Sequence, residues 1–260
     1  MSAVTADLSK VAAALEADET EGFIIHAEDA STRLRQVRLE YHPRPVFTAA
    51  IFDMDGLLLD SERVIMQAWL SCAREQGMTL SEADFLTVVG AGAAESRARL
   101  TQLLGGASAF ESVRSQARDK LLARPGVVYP LKPGAMQIVS MLRQRGVPCG
   151  VASSTRVSEV RRRLEKVGIL NYFQAVAGGD EVPDSKPDPA VYLLAAQRLG
   201  VAPERCLAFE DTDHGAKAAH AAGMRVVLIP DLRSHDFDAA LMELPSLEQA
   251  FAHLDRWFHA

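Results

Sequence analysis

The stretch AAIFDMDGLLLDSE, residues 49–62, joins a short apolar run to two aspartates. An apolar run of this length, bounded by a turn signal, is typical of a strand buried on both faces of a sheet. Asp53 and Asp55 follow the run directly and are one residue apart. Carboxylates this close repel each other unless a cation or a proton occupies the site. The stretch therefore predicts a buried strand whose carboxyl end carries a charged functional site.

The bulk composition excludes several classes of protein. The 260 residues are 48% hydrophobic and 24% charged, with a formal net charge of −6, and the densest basic run, Arg161 to Arg163, is interpreted as a solvated helix face. Cys72, Cys149 and Cys206 lack the spacing of a disulfide framework or a zinc site. Without a basic surface, a signal pattern or a long apolar run, we expect a cytoplasmic protein that binds neither nucleic acid nor membranes.

Short apolar runs alternate with amphipathic segments of helical length from Val46 onward. Helices are predicted near 156–168, 189–200 and 213–223, with glycines at their C-terminal ends. Strands alternating with helices predict a parallel sheet that is covered on both faces. The predicted strands are TAAIFD, VPCGVASS, FQAVAGG, RCLAFED and MRVVLIP.

One interruption of this alternation predicts the domain organisation. Ser153 follows Asp53 by 100 residues, whereas a simple βαβ unit takes roughly 30. Most of the extra length has a helical pattern, so we expect a helical cap at 63–130 inserted into a core of 47–62 and 131–260. Residues 1–46 form an N-terminal extension of unknown role, with a helix predicted in DLSKVAAALEADETE and an edge strand in QVRLEY.

Polar residues recur where the predicted strands end. Ligands of parallel α/β sheets bind beyond the carboxyl ends of the strands. Each residue has an ordinary structural explanation, since serines cap helices, lysines lie in surface turns and acidic residues begin helices. The coincidence at several ends favours one functional site. The residues concerned are Asp53 and Asp55, then Ser153 and Ser154, then Lys186, and finally Glu210 and Asp211.

This ordered set resembles the four signature motifs of the haloacid dehalogenase-like superfamily, over about 49–230. The helical insertion resembles the cap of its beta-phosphoglucomutase-like and phosphatase-like branch. The resemblance implies an α/β fold, with a doubly wound parallel-sheet (Rossmann-like) core and an inserted α-helical cap domain. It also implies Mg²⁺-dependent phosphoryl transfer from a small phosphorylated substrate.

The resemblance further implies a role for each motif residue. Asp53 is the expected nucleophile that forms an aspartyl-phosphate, and Asp55 is the expected general acid and base. Lys186 is expected to neutralise the phosphate and to keep Asp53 ionised. The expected phosphate-binding residues are Gly56, Ser153, Ser154 and Lys186, and the expected Mg²⁺ ligands are Asp53, the Asp55 carbonyl, Asp211 and Glu210.

Three functions stay open at this point. A phosphatase of a small metabolite, such as a sugar phosphate, is favoured because Asp55 supplies the proton that a departing alkoxide needs. A phosphomutase is the first alternative, although Ile65 stands where the mutases carry a histidine. A vestigial binding protein that uses residues 1–46 is the second. A monomer or a weak homodimer is expected.

The predicted cap offers few clear signals about the substrate. Glu62, Arg63 and the stretch GAGAAESR, 90–97, are candidate substrate contacts. Arg97 is a candidate for binding a second anion, or else an exposed helix arginine. Asp213 and His214 have two interpretations. They either affect the surroundings of the metal or simply begin a helix.

Overall fold

The computed structural model describes residues 23–26, 38–41, 47–89, 93–123, 129–232 and 236–258. Within the N-terminal extension, β1 (Phe23–His26) pairs antiparallel with β2 (Arg38–Tyr41). The strand predicted in QVRLEY is thus confirmed. The helix predicted in DLSKVAAALEADETE lies outside the described residues.

A parallel sheet forms the centre of the core. Its strands lie in the order β5-β4-β3-β6-β7-β8, and every neighbouring pair is parallel. The α/β fold and the five predicted strands are confirmed, whereas the short β8 was not predicted. The strands are β3 (Ala49–Phe52), β4 (Cys149–Ala152), β5 (Ala175–Ala177), β6 (Cys206–Glu210), β7 (Arg225–Leu228) and β8 (Met242–Glu243).

Helices cover both faces of this sheet. Side chains alternate along β3, so Ala50 and Phe52 join one hydrophobic cluster while Ala49 and Ile51 join the other. The Phe52 ring stacks on Phe209 of β6, with 4.7 Å between the ring centroids. The covering helices are α5 (Ala135–Gln144), α6 (Val157–Lys166), α7 (Ala190–Leu199), α8 (Asp213–Ala221), α9 (Leu247–Ala250) and α10 (Leu254–Trp257).

Four helices precede these in the chain and bury a hydrophobic cluster of their own. They are α1 (Ser61–Glu75), α2 (Glu82–Leu86), α3 (Ala93–Leu103) and α4 (Ala107–Ala123). Their cluster includes Met66, Phe85, Leu100, Phe110 and Val113. These helices occupy the segment predicted as a cap, and its bounds of 63–130 stay a prediction. Within the part of the chain that the structure describes, none of the helices has the length and apolar character needed to cross a bilayer.

The chain leaves and re-enters the core at two crossings that lie side by side. The amide of Asp60 donates to the carbonyl of Pro130, with 2.8 Å between the atoms. The Asp231 carboxylate accepts from Lys132 on the returning crossing at 2.5 Å and pairs with Arg63 on the outgoing one at 2.9 Å. Because the Asp231 side chain is only 3% exposed, this pairing fixes the crossings beside the end of β7.

Candidate active site

The sheet order brings the predicted site residues to one edge. Strands β4, β3 and β6 are neighbours, and Ser153, Asp53 and Asp211 each follow the last residue of one of them. Glu210 is the last residue of β6. All four side chains are buried, which is unusual for the three carboxylates unless they are paired or bind a ligand. The Asp53 amide donates to the Phe209 carbonyl at 3.0 Å, which continues the sheet pairing up to the site.

Lys186 is the cation at the centre of this edge. Its ammonium donates to Asp53 Oδ1 at 2.5 Å, to Glu210 Oε1 at 2.7 Å and to the Ala152 carbonyl at 3.0 Å. The side chain is 7% exposed. One buried lysine thus joins the ends of β3, β4 and β6.

Glu210 accepts hydrogen bonds on both carboxylate oxygens. Oε1 accepts from Lys186 and from the Tyr192 hydroxyl, the latter at 2.5 Å. Oε2 accepts from the Asp211 amide at 3.0 Å and from the Thr212 hydroxyl at 3.3 Å. These donors fix the position of Glu210 and use much of its capacity to accept.

The charge state of the site is set chiefly by burial. Burial raises the pKa of Asp53 to about 8, against the opposing effect of Lys186. Burial, with Asp53 and Glu210 close by, also raises the pKa of Asp211 well above its usual range. Burial alone would lower the pKa of Lys186, but its pairs with the two carboxylates raise it instead. Lys186 thus lowers the pKa of Asp53, in the expected direction, while desolvation has the larger and opposite effect. That Lys186 keeps Asp53 ionised stays a prediction.

The geometry also fits a cation beside Asp211. One carboxylate oxygen of Asp53, of Glu210 and of Asp211 lies within 4.8 Å of the others. Asp211 Oδ1 is buried without a hydrogen-bond partner among the described residues. Gly56, at φ +86°, lies so close to Asp211 that an added Cβ atom would be 2.0 Å from Asp211 Oδ2. A buried oxygen that lacks a hydrogen-bond partner in the described structure, beside two other carboxylates, suits a hard cation.

The Asp55 side chain is more exposed than that of Asp53, 27% against 10%. Its Oδ2 accepts from the Thr155 hydroxyl at 2.8 Å, and its Oδ1 accepts from Arg163 Nη1 at 2.8 Å. The prediction of a solvated face for Arg161 to Arg163 is wrong for Arg163, whose side chain is only 13% exposed. Its reach across the end of β4 brings it to Asp55, which the local sequence pattern does not reveal.

The two candidate serines differ in burial. Ser153 is buried, and its hydroxyl accepts from the Thr155 amide at 3.1 Å. Ser154 is exposed at the same edge. Ser153 is therefore held in place by the turn that begins after β4, while Ser154 faces outward.

Other predicted contacts have structural partners. Arg97 pairs with Glu111 at 2.6 Å and is 60% exposed. The Asp213 carboxylate accepts from the amides of Asp236 and Phe237, each at 3.2 Å, and so anchors the segment after β7. Of the stretch 90–97, residues 90–92 lie outside the described residues.

The first turn of α1 carries Glu62 and Ile65 beside the site. Burial, followed by the charges of Asp231 and Asp55, raises the pKa of Glu62 to about 7. Ile65 is partly buried and packs against both the core cluster and the cluster of the inserted helices. It therefore lies where the two parts of the chain meet.

Four residues near the site were not predicted from the sequence. Their contacts at the site are formed by folding and are not visible as a local sequence pattern. Gly215 of α8 has a spatial role because a Cβ there would overlap the Glu210 carboxylate. A glycine in the first turn of a helix was the one available signal. The four are Thr155, Arg163, Tyr192 and Gly215.

Comparison with known proteins identifies the family. The family model for haloacid dehalogenase-like hydrolases matches residues 47–223. Hexitol phosphatase B of Escherichia coli strain K12 is 33% identical over 195 residues, which cover 72% of this chain and 85% of the relative. The phosphorylated carbohydrates phosphatase of Thermotoga maritima is 30% identical over 176 residues, which cover 68% of this chain and 82% of that protein.

Comparison with a solved structure supports the same family. A mutant of CbbY from Rhodobacter sphaeroides, in complex with xylulose-1,5-bisphosphate, superposes with a TM-score of 0.65 at 26% sequence identity. The match covers 77% of this chain and 95% of that one. The similarity thus extends over the core and the inserted helices together.

Proposed function

We propose that this chain is a Mg²⁺-dependent phosphatase of sugar phosphates. It belongs to the haloacid dehalogenase-like hydrolases and is a phosphoric monoester hydrolase. The observation that carries the proposal is the buried edge at which the Asp53, Glu210 and Asp211 carboxylates lie together. Lys186 pairs with the first two of them. The names of the two curated relatives support carbohydrate phosphates as the substrate class.

The proposed reaction has two steps, transfer of the phosphoryl group to Asp53 and its hydrolysis. An Asp53 oxygen attacks phosphorus, the bond from phosphorus to the sugar oxygen breaks, and Asp55 gives its proton to that oxygen. Water then attacks the aspartyl-phosphate and passes a proton to Asp55. The bond between Asp53 and phosphorus breaks, and inorganic phosphate leaves.

The remaining site residues bind the phosphoryl group. Lys186 provides positive charge beside Asp53, and the Ser153 hydroxyl and the turn at Gly56 line the place where the phosphoryl oxygens bind. Ser154, whose side chain is exposed, makes a secondary contact with the phosphoryl group. We also propose that residues 63–130 act as a cap over a core of 47–62 and 131–260.

Mg²⁺ is the proposed cofactor because carboxylate oxygens of Asp53 and Glu210 lie near that of Asp211, whose Oδ1 has no hydrogen-bond partner among the described residues. Asp53, Asp211 and the Asp55 carbonyl would hold it directly, and Glu210, whose oxygens already accept several hydrogen bonds, would act through water. When bound, the cation supplies positive charge that favours ionised Asp53 and stabilises the phosphoryl oxygens.

A panel of phosphorylated sugars and sugar alcohols tests the proposal, with phosphate release measured in the presence of Mg²⁺. We expect Asp53→Asn to abolish turnover, and Asp119→Asn, an exposed site on α4, to leave it unchanged. Turnover by Asp53→Asn at the wild-type rate would refute the assignment of the nucleophile.

Calorimetry tests the metal site without using turnover. Mg²⁺ should bind the wild-type protein and bind Asp211→Asn far more weakly, because a neutral amide replaces one anionic ligand. Equal affinity in the two proteins would place the cation elsewhere.

A further inference from the structure

We infer that Arg163 is a positioning residue that holds the Asp55 carboxylate for proton transfer to the leaving oxygen. The inference rests on the proposed function and adds to it a residue outside the four motifs. Arg163 lies on α6, 108 positions along the chain from Asp55, with Nη1 2.8 Å from Asp55 Oδ1.

Three contacts fix the Arg163 guanidinium. Nη1 donates to Asp55, Nε donates to Glu159 Oε1 at 2.7 Å, and the group lies over the Tyr129 ring at 4.4 Å. A planar guanidinium with donors at fixed angles loses little further freedom when it binds a carboxylate, unlike a lysine. The side chain is 13% exposed, so water competes only weakly for these contacts.

Asp55 is thereby held on both of its oxygens. Thr155 donates to Oδ2 at 2.8 Å while Arg163 donates to Oδ1, and each carboxylate oxygen keeps a second lone pair. Two donors from one side of the site define the plane of the carboxylate. The remaining lone pairs then point in fixed directions, which is what transfer of a proton to one particular oxygen requires.

Arg163 also connects Asp55 to the returning crossing. Tyr129, whose ring lies under the guanidinium, immediately precedes Pro130, which accepts the hydrogen bond from Asp60. The orientation of Asp55 thus depends on the segment that links the inserted helices to the core. A surface ion pair confined to α6 would have no such connection.

Arg162 provides a matched control on the same helix. It also pairs with Glu159, at 2.5 Å, and it carries the same charge. Its side chain is 38% exposed, and its hydrogen bonds within the described part of the chain go to Glu159 and not to Asp55. Arg162→Met and Arg163→Met therefore make the same change of charge and differ in the contact with Asp55.

The test compares kcat/KM for phenyl phosphate and p-nitrophenyl phosphate, which have similar shapes. Phenolate leaves poorly without a proton, whereas p-nitrophenolate leaves readily, so only the first depends strongly on the general acid. We expect Arg163→Met to lower kcat/KM about tenfold or more for phenyl phosphate and about threefold or less for p-nitrophenyl phosphate. Arg162→Met should leave the ratio of the two values unchanged.

Arg163→Lys keeps the inference testable if the methionine variant does not fold. A single ammonium retains the charge but cannot donate to Asp55 and Glu159 in the same fixed geometry. The ratio of kcat/KM for phenyl phosphate to kcat/KM for p-nitrophenyl phosphate in Arg163→Lys should therefore lie between the ratios of wild type and Arg163→Met. A wild-type ratio in a folded Arg163→Lys or Arg163→Met, or equal losses on both substrates, would overturn the inference alone. Lack of any phosphatase activity in the wild-type protein would overturn the proposed function as well.

Discussion

Replacing Gly215 by alanine should destabilise this protein, although the same change inside an ordinary helix is stabilising. Gly215 lies in α8, where alanine is favoured over glycine by about 0.8–1.0 kcal/mol in an open position. An added Cβ at this position would overlap the carboxyl carbon and both oxygens of Glu210. Glu210 must therefore move before the new methyl group can be accommodated.

The size of the effect follows from the bonds that hold Glu210. Its Oε1 is 2.5 Å from the Tyr192 hydroxyl and 2.7 Å from Lys186 Nζ. A displacement of about 1 Å takes both contacts beyond hydrogen-bonding distance. Since each bond to a charged group contributes about 1.5–3 kcal/mol, the loss exceeds the gain in helix propensity, and we expect a net destabilisation of about 2–5 kcal/mol.

Chemical denaturation of the metal-free protein measures this difference in the free energy of unfolding. Lys217→Ala, an exposed change on the same helix, is the control and should alter the free energy by no more than about 0.5 kcal/mol. Phosphatase activity of Gly215→Ala should fall as well, because Glu210 belongs to the proposed metal site.

A double-mutant cycle with Glu210→Ala identifies the cause. Once the Glu210 carboxylate is absent, Gly215→Ala should be neutral or stabilising by up to about 1 kcal/mol. A Gly215→Ala variant as stable as wild type, or an equal cost in both backgrounds, would show that the added methyl group does not displace Glu210.

Three further changes have defined outcomes. Tyr192→Phe removes the donor to buried Glu210 and should lower the free energy of unfolding by about 1.5–3 kcal/mol, measured by denaturation; no change would argue against that bond. Hydrogen bonds from Arg162, and to a lesser degree Arg163, lower the pKa of Glu159 from 4.5 to about 2. Glu159→Gln should therefore lower the free energy of unfolding by about 1 kcal/mol at neutral pH, after allowance for solvent screening. Thermal melts at a series of pH values should show this difference shrinking as the pH falls from 4.5 towards 2, and a constant difference would contradict the prediction. Asp231→Asn leaves two cations without their shared carboxylate and should accelerate hydrogen exchange of the Asp60 amide, which is bonded to the Pro130 carbonyl; unchanged exchange would show that the pairing does not hold the crossings.

The order of strands and helices was predictable because it depends on local chemistry. Buried parallel strands give continuous apolar runs, as in β3 and β6, and glycines mark helix ends such as Gly200. The carboxyl ends of neighbouring parallel strands meet at one edge, so the meeting of Asp53 with Asp211 followed from the fold.

The surroundings of those motif residues could not be predicted in the same way. Arg163 has the sequence pattern of a surface helix, and its contact with Asp55 arises from packing between residues 108 positions apart. Tyr192 looks like one apolar position of α7 until the sheet edge places Glu210 beside its hydroxyl. A linear pattern contains no information about which distant side chains a turn of backbone brings together.

The sequence by itself determined the fold class and the types of residue at the site: two aspartates, a lysine and an acidic pair at the ends of strands. Only the tertiary structure decided how far packing removes them from water. Lys186 lowers the pKa of Asp53, as the sequence suggested, but desolvation in the folded chain acts against it and raises that pKa to about 8. Burial is a property of the whole packed molecule, and the free energy of a charge depends on the solvent that packing removes.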